Sequence, residues 1–510
     1  MGLAAGGHPD DPSRLPVLVG VGQLRHNRER RLELAREPLE LMVEASRRAA
    51  ADAGPGEALL RAVDSLDVVD VITWAYDALP DRVADRLGIQ PARRVSSAVG
   101  GNRPVELVDQ AAGRIARGES RVALVCGAEA QASLELVLRA GTCPWSQTPG
   151  GPLAFDDAMH GGPLVRRHGL VDPIRGYPLF ENRLRFERGA RLEESQRESA
   201  ELYADFTRVA ADNPAAWNPT VLSPEDIATV TPKNRMICFP YPLRMNAFLK
   251  VDQAAAVLLT SLAVARELGI PEDRLVHVWG GAGAADSREM LDRVSYGRSP
   301  ALEAVLDTTL AQAEVSVADV DVLDVYSCFP VVPTLARLHL GLARGHRLTA
   351  TGGLTAFGGP GSNYSLHALV AVAGRLRAGA RLGLVHGNGE YLTKQHALLL
   401  GARPHPRGYV GRDAPVTPQG TEGPRVVAHA EGRAVLETFT VEYDREGHPR
   451  RGFVIGRLAD GARFVANTAE GDRESLDALV DPEREAIGRT GVVTHHPDGR
   501  NLFRFGDAGW

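Results

Sequence analysis

The feature that most constrains this chain is a pattern that occurs twice: a glycine-rich turn, an apolar helix, and an apolar strand that ends in small residues. The first copy occupies residues 96–130, with the turn SSAVGG and the strand VALVCGAEA. The second occupies residues 357–390, with the turn FGGPGS and the strand LGLVHGNGE. Buried strands that alternate with helices predict a mostly parallel sheet covered on both faces. Their repetition indicates an internally duplicated α/β fold.

The two turns predict a ligand-binding crevice. Gly100 and Gly101 allow a sharp backbone bend, and the helix that follows presents free N–H groups that favour an anion or a developing oxyanion. A pseudo-symmetric duplication is expected to bring the two turns together, with the ligand in the crevice between them. Many enzymes carry a nucleophile on such a turn, but no Cys or Ser occupies positions 100–102.

The composition narrows the class of protein. A length of 510 residues favours more than one domain, and a net charge of -6 argues against non-specific nucleic-acid binding. No apolar run reaches the roughly 20 residues of a membrane span, and the first residues lack a signal-peptide pattern. The 4 cysteines have no CxxC spacing. This predicts a cytoplasmic protein with neither a metal site nor a redox pair.

Changes of composition along the chain predict its domains. After residue 402 a Pro/Gly-rich stretch leads into alternating strands separated by turns such as ADG and PDG, which favours a small β-barrel because closure removes exposed edges. The predicted segments are a loose N-terminus at 1–14, an N-terminal half at 15–285 with a loop insertion at about 140–220, a C-terminal half at 286–402, a linker at 403–424 and the β-barrel domain at 425–510. So long an insertion favours a lid or a binding loop.

Four blocks between about residues 15 and 402 carry a family resemblance. They are GGNRPVELVDQAAGRIARGESRVALVCGAEA, DVLDVYSCF, TGGLTAFGGPGSNYS and LVHGNGEY. In turn they resemble the nucleophile turn and helix, the Asn-Glu-Ala-Phe or His-Asp-Cys-Phe block, the Gly-His-Pro block and the final Cys-x-Gly block of the thiolase superfamily. The sequence is most similar to its sterol-carrier-protein-2-like branch, often called acetyl-CoA acetyltransferases. With the added β domain it resembles the thiolase-like proteins of type 1.

The resemblance implies a fold and a ligand. The fold is an αβαβα layered α/β structure made of two halves related by a pseudo-twofold axis, followed by an OB-like barrel. The ligand is an acyl-CoA thioester used in lipid metabolism, with no further cofactor. Thiolase folds usually form dimers, but the extra domain is able to block that face. A monomer and a homodimer therefore both stay open, and so does a partner protein bound through the β domain.

The catalytic positions of the resemblance depart from the thiolase pattern. The nucleophilic cysteine position falls on Gly101, the Asn/His position of the second block on Tyr326, and the His of Gly-His-Pro on Gly359. The second catalytic cysteine falls near Val385 or His386. Because thiolysis needs a thiolate to hold the acyl group, we expect no ordinary thiolase activity.

Three side chains are candidates for acid–base chemistry. Tyr326 is able to donate to a thioester carbonyl, His386 ends a strand that points toward the crevice, and Tyr364 follows the second turn. Two of them have a structural alternative: Tyr326 fills the space of lost catalytic groups, and His386 binds a turn. His367 and Cys328 are interpreted as packed core residues.

The turns themselves predict ligand contacts. Their backbone keeps the geometry of an oxyanion site, although tight bends without a ligand would look the same. The predicted ligand-binding residues are Gly101, Asn102, Gly358, Gly359 and Asn388.

Three functions follow from the sequence. The first is an acyl-CoA-binding protein that lacks cysteine-dependent acyl transfer. The second is a retro-aldolase acting on a β-hydroxyacyl-CoA, with Tyr326 and either Tyr364 or His386 as the acid–base pair. The third is a non-catalytic partner subunit of an acyl-CoA enzyme, docked through the β domain.

Overall fold

The computed structural model of the protein describes residues 10–146 and 161–506. The strands, numbered in chain order, are β1 (Pro16–Arg25), β2 (Ser65–Val68), β3 (Arg93–Ser96), β4 (Val122–Ala130), β5 (Met236–Cys238), β6 (Tyr241–Pro242), β7 (Asp252–Ser261), β8 (Val276–Ala285), β9 (Val322–Val325), β10 (Leu382–Gly389), β11 (Lys394–Gly401), β12 (Gly432–Tyr443), β13 (Pro449–Leu458), β14 (Arg463–Thr468), β15 (Thr490–His495) and β16 (Asn501–Phe505). The α-helices are α1 (Pro38–Ala53), α2 (Glu57–Arg61), α3 (Leu79–Leu87), α4 (Arg103–Arg117), α5 (Gln131–Arg139), α6 (Pro163–Arg167), α7 (Pro173–Glu187), α8 (Leu192–Ala211), α9 (Pro224–Ala228), α10 (Leu262–Glu267), α11 (Pro300–Gln312), α12 (Val331–His339), α13 (Tyr364–Arg377) and α14 (Arg473–Val480).

The order of the strands repeats between the two halves of the chain. Within the described residues, nine strands form one sheet in the order β3-β2-β4-β7-β1-β8-β11-β10-β9. In the first half β2 and β4 are parallel, and β7 and β1 follow in antiparallel pairing. In the second half β9 and β10 are parallel, and β11 and β8 follow in antiparallel pairing. The two halves meet where β1 pairs with β8.

Helices cover the outer faces of the sheet and separate its two halves. α1 packs on β1, β4 and β7, and α11 packs on β8 and β11. Between the halves, α4 and α13 pack against each other and against strands of both halves. The layers therefore follow the order helix, sheet, helix pair, sheet, helix. This confirms the predicted αβαβα arrangement and its internal repeat.

The strands after residue 431 close into a barrel. In the described part of the chain, five strands follow the order β13-β14-β16-β15-β12, and a further pairing of β12 with β13 closes the ring. Phe439, Phe464 and Phe503 are among the buried residues that fill it. β5, which follows the predicted insertion, pairs with β12, and α7, which lies within the insertion, packs on the same strand. The predicted small β-barrel is confirmed, and α7 is one of its contacts with the rest of the chain.

A buried arginine joins the barrel to the core. Arg463 on β14 has no exposed surface. Its Nε and Nη2 donate to the Glu437 carboxylate at 2.9 and 2.5 Å, and its Nη1 donates to the Leu291 carbonyl at 2.7 Å and to the Arg293 carbonyl. The guanidinium carbon also lies 5.1 Å from the centre of the Tyr296 ring. Because Leu291 and Arg293 follow β8 in the second half of the core, one side chain links the two domains.

The predicted domain boundaries stay a prediction. β8 lies inside the predicted N-terminal half, 15–285. In the sheet, however, β8 belongs to the second half, where its position corresponds to that of β1 in the first half.

Among the described helices, none is long and apolar enough to cross a membrane.

Candidate functional site

The two glycine turns meet at the N-terminus of α4. The sequence starts α4 after Gly101 and Asn102, with Pro at one of its first positions, and ends it at Gly118, whose φ of 73° suits glycine. The Gly100 N–H donates to Ser362 Oγ at 3.0 Å, and Ser365 Oγ donates to the Gly101 carbonyl at 2.6 Å. Ser362 and Ser365 belong to the second turn and to α13. The structure thus brings the two repeats together, as the duplication predicts.

The space beside Gly101 is filled by a tyrosine. A Cβ atom built on Gly101 would fall against Tyr326 Oη, 2.5 Å from Tyr326 Cζ and 2.6 Å from the Asn388 carbonyl oxygen. Real Cβ contacts are essentially never this short. Position 101, which the sequence resemblance assigns to the nucleophile, therefore has no room for a side chain, because Tyr326 and the end of β10 occupy the space.

The Tyr326 hydroxyl has no hydrogen-bond partner within residues 10–146 and 161–506. Its side chain is 6% exposed and its ring lies edge-on to Tyr364, with centroids 5.7 Å apart. Burial, followed by the neighbouring Cys328, raises the pKa of Tyr326 well above its usual value of 10.0. At neutral pH Tyr326 is therefore a neutral phenol, which is able to donate its proton in a hydrogen bond.

Backbone donors accompany Tyr326. In the described structure the N–H groups of Gly101 and Asn102 donate to no protein acceptor, while the neighbouring Arg103 N–H donates to the Gly100 carbonyl at 3.0 Å. The Asn102 side-chain oxygen is buried and has no hydrogen-bond partner either. Unpaired buried polar groups are costly unless a ligand or water satisfies them. The Gly101 turn therefore has the donors that a thioester carbonyl needs.

Tyr364 faces the second turn. Its hydroxyl accepts the Gly353 N–H at 3.1 Å and donates to Asp324 at 3.4 Å. The other Asp324 oxygen accepts from Thr349 Oγ1 at 3.0 Å and from the Thr351 N–H at 2.9 Å. Burial raises the pKa of Asp324 to about 6. Since its hydroxyl is already bonded on both sides, Tyr364 orders the turn that precedes α13.

The second glycine turn is bonded to the backbone beside β7. The Gly359 N–H donates to the Phe248 carbonyl at 2.8 Å. A Cβ on Gly358, whose φ is 119°, would lie 2.5 Å from Gln253 Oε1, and Gln253 Nε2 donates to the Phe357 carbonyl at 2.9 Å. Gly358 and Gly359 therefore fit closely against their own chain, and the Gly359 N–H is not free for a ligand.

A chain of hydrogen bonds runs across the ends of β10 and β11. His386 Nε2–H donates to Gln395 Oε1 at 2.8 Å, and Gln395 Nε2 donates to Asn388 Oδ1 at 2.8 Å. Asn388 Nδ2 donates to Tyr177 Oη at 2.8 Å, and Tyr177 donates to the Glu390 carbonyl at 2.6 Å. All the donors point in the same direction, so the chain fixes the orientation of each amide.

The nearest cysteine is inert. Cys328 Sγ lies 3.8 Å from Asn388 Nδ2 and its side chain is buried. Burial raises the pKa of the Cys328 thiol to about 12, so almost no thiolate forms at neutral pH. Cys328 is therefore poorly suited to act as a nucleophile. No group of three or more His, Cys, Asp or Glu residues in the described structure is arranged to hold a metal ion.

His386 is neutral across the physiological range. Burial lowers its pKa to about 4 and outweighs the hydrogen bond to Gln395, which acts in the opposite direction. Its Nδ1 is buried without a partner. A base with this pKa takes up a proton poorly at pH 7, and the structure gives His386 the role of the first donor in the chain to Asn388.

We expect His386→Gln to remove part of the pH dependence of unfolding. The fold lowers the pKa of His386 from 6.5 to about 4, so its contribution to stability is complete above pH 6.5 and is lost as the pH falls from 6.5 to 4. The free-energy difference between wild type and variant should shrink by about 2 kcal/mol between pH 6.5 and pH 5. Urea unfolding at the two pH values measures it. The exposed His346 supplies the control His346→Gln, and a difference that does not change with pH would contradict a buried neutral His386.

Two residues of the hydrogen-bonded chain, Gln395 and Tyr177, are not predicted from the sequence. Gln395 lies opposite Asn388 in the β10–β11 hairpin, so a prediction of the hairpin register would have identified it. Tyr177 comes from α7, in the predicted insertion, and its ring stacks on Phe329 with centroids 4.6 Å apart. Only the tertiary fold brings Tyr177 to the site, although Tyr177 lies in the insertion that the sequence predicts to be a lid or a binding loop.

Comparison with known proteins agrees with this architecture. Residues 415–500 match the family model described as the thiolase-like protein type 1 additional C-terminal domain. The structure of a monomeric SCP2-thiolase-like protein type 1 from Mycobacterium smegmatis is 33% identical and superposes with a TM-score of 0.82, covering 97% of this chain and 100% of that one. The chain belongs to the SCP2-thiolase-like protein type 1 family. The predicted family is thereby confirmed.

More distant structures share the fold alone. An Ltp2-ChsH2(DUF35) aldolase is 21% identical with a TM-score of 0.57, over 76% of this chain and 98% of that one. Human mitochondrial 3-ketoacyl-CoA thiolase in complex with CoA is 17% identical with a TM-score of 0.54, over the same shares of the two chains. A search of curated proteins returns no match.

Proposed function

We propose that the protein binds an acyl-CoA thioester in the crevice between the two glycine turns and has no cysteine-dependent thiolase activity. One observation carries this proposal: Tyr326 fills the space beside Gly101, where a nucleophile would stand. The unpartnered N–H groups of Gly101 and Asn102 support the binding of a thioester carbonyl. The CoA complex of a thiolase with the same fold supports the class of ligand.

Tyr326 supplies the side-chain contact in this proposal. Its hydroxyl is neutral and has no hydrogen-bond partner in the described structure, and it stands beside the Gly101 turn. A carbonyl oxygen bound there would accept from Tyr326 Oη and from the backbone donors together. Asn388 would act on the ligand through its carbonyl, which lies on the same side of Gly101, since its side-chain amide is bonded to Gln395 and Tyr177.

We expect Tyr326→Phe to weaken the binding of acetyl-CoA by about three- to tenfold, the cost of one hydrogen bond. Isothermal titration calorimetry with acetyl-CoA, acetoacetyl-CoA and 3-hydroxybutyryl-CoA measures it. Tyr443→Phe, which removes a hydroxyl on β12 of the barrel, is the matched control. Failure of the wild type to bind all three esters overturns the proposal, and so does thiolysis of acetoacetyl-CoA at the rate of a thiolase.

A retro-aldolase is the second candidate function. The observation that favours it is the free Tyr326 phenol, since cleavage of the Cα–Cβ bond of a β-hydroxyacyl-CoA needs a donor that returns a proton to the enolate carbon. A neighbour of the same fold is named an aldolase. The reaction also needs a base for the β-hydroxyl proton, and within the described residues no carboxylate or imidazole is hydrogen-bonded to Tyr326. We therefore rank acyl-CoA binding above retro-aldol cleavage as the function of the protein. Release of an aldehyde from 3-hydroxybutyryl-CoA would reverse this ranking.

We also propose a monomer in a reducing compartment, the cytoplasm. The relative from Mycobacterium smegmatis is described as monomeric, and Cys126, Cys238 and Cys328 of this chain are free thiols. A partner protein on the barrel would have to use faces other than the side of β12 that pairs with β5 and packs on α7.

A further inference from the structure

The added barrel has a basic pocket that the proposed function does not use. The cavity measures about 310 Å³ and lies where β12, β15 and β16 run side by side. Three arginines surround it: Arg433 from β12, and Arg484 and Arg489 from the loop between α14 and β15. We call them the pocket arginines. Phe505 and the backbone of Gly491 complete the wall.

The pocket arginines have no acidic partner. Within residues 10–146 and 161–506, none of the three forms an ion pair. Among the acidic residues of the same loop, Glu485 pairs with Arg185 of α7 at 2.6 Å, and Asp481 accepts the Glu483 N–H at 2.9 Å while its charge still acts on Arg489. Three positive charges therefore border one cavity without an ion pair, which favours an anion there.

One of the three is held in place. The Arg489 guanidinium lies 4.2 Å from the centre of the Phe505 ring, and its Nη1 donates to the Ala478 carbonyl at 3.3 Å. Burial, followed by the charge of Arg484, lowers the pKa of Arg489. Because the aromatic ring already positions the guanidinium, this side chain loses less conformational entropy on binding an anion than a freely moving one. An anion would also reduce its repulsion by Arg484.

In another arginine-lined cavity of the same chain, most of the arginines are paired with acidic residues. A cavity over α1 is bordered by four arginines, but Arg36 and Arg48 both pair with Glu44, and Arg47 lies 3.8 Å from Glu57. Its charges are largely neutralised within the protein. The absence of such pairs distinguishes the pocket on the barrel.

We propose that the pocket arginines bind the phosphate group of a phosphorylated metabolite. The planar guanidinium matches the geometry of phosphate oxygens and donates two hydrogen bonds at once. Three such groups match the two or more negative charges of a phosphate ester or a diphosphate, and a cavity of about 310 Å³ is large enough for either. The site is on the barrel and does not depend on acyl-CoA binding in the crevice.

Calorimetric titration of the full chain with inorganic phosphate and with pyrophosphate tests the site. We expect pyrophosphate to bind more tightly, and Arg433→Gln and Arg489→Gln each to weaken it by about tenfold, as expected for the loss of a charge-assisted hydrogen bond. Arg433 is exposed, so its variant keeps the test valid if Arg489→Gln unfolds. The control Arg450→Gln changes an exposed arginine on β13 and should leave binding unchanged.

The other arms of the experiment separate the sources of the phosphate. Tighter binding of ADP or CoA than of pyrophosphate, lost in Arg433→Gln, would identify a nucleotide-borne phosphate, whereas equal binding would identify the phosphate alone; both support the site. Tyr326→Phe should leave pyrophosphate binding unchanged, which keeps this result apart from that of the crevice. The proposal is overturned if neither anion binds, if Arg450→Gln weakens binding as much as Arg433→Gln, or if citrate binds as tightly as pyrophosphate.

Discussion

Arg463→Met should lower the free energy of unfolding by about 3–5 kcal/mol, the range for breaking a fully buried ion pair from one side. The variant leaves the Glu437 carboxylate with Arg457 alone, at 2.6 Å. It also leaves the Leu291 and Arg293 carbonyls without the Nη1 donor. The loss is large because Arg463 is completely buried, so water cannot replace the missing donors.

The same carboxylate supplies the control. Arg457 also pairs with Glu437, but its side chain is 29% exposed, so Arg457→Met should cost about 1 kcal/mol or less. The double variant Arg463→Met/Glu437→Leu removes both charges and should recover part of the loss, since an apolar pair of similar volume tolerates burial better than a lone charge. Urea unfolding measures all three. If Arg463→Met costs no more than Arg457→Met, the arginine is not the link between barrel and core.

The repeat was predictable because each of its parts is local. The glycine turn, the helix period and the apolar strand are each encoded within about thirty consecutive residues around Gly101, and the sheet order of the structure repeats accordingly. β8 is the contrary case. Its sequence, VHVWGGAGAA, contains few strand-forming residues after Trp279. It becomes a strand because β1 and β11 lie on either side of it.

The candidate site likewise contains some residues that the local sequence predicts and others that it does not. Position 101 and position 326 each follow from their own sequence block, and the structure brings Gly101 and Tyr326 into contact. The partners of the other site residues do not follow from local sequence. Tyr177 reaches Asn388 from a helix 211 residues away along the chain. The low pKa of His386 depends on burial, which no motif around it encodes.

Gly101→Cys should not create a thiolase and should lower the free energy of unfolding by about 3 kcal/mol, the upper end of the cost of overpacking a core. A Cβ at this position would lie 2.5 Å from Tyr326 Cζ and 2.6 Å from the Asn388 carbonyl oxygen. The tyrosine ring is confined by Tyr364, and the carbonyl belongs to β10, which is paired on both sides. Neither neighbour can move away without breaking other contacts.

Gly374→Cys is the matched control, because nothing lies within 4 Å of a Cβ at Gly374 on α13. That variant should be as stable as the wild type or slightly more so, since a helix interior favours most residues over glycine. Adding Tyr326→Ala to Gly101→Cys should restore part of the stability by removing the ring, but not all of it, because the Asn388 carbonyl stays. Thermal and urea unfolding, with a thiolysis assay on acetoacetyl-CoA, measure both effects. A Gly101→Cys protein that is as stable as Gly374→Cys, or that turns over acetoacetyl-CoA, would mean that Tyr326 leaves position 101 open to a side chain, and the proposed lack of thiolase activity would then rest on the missing cysteine alone.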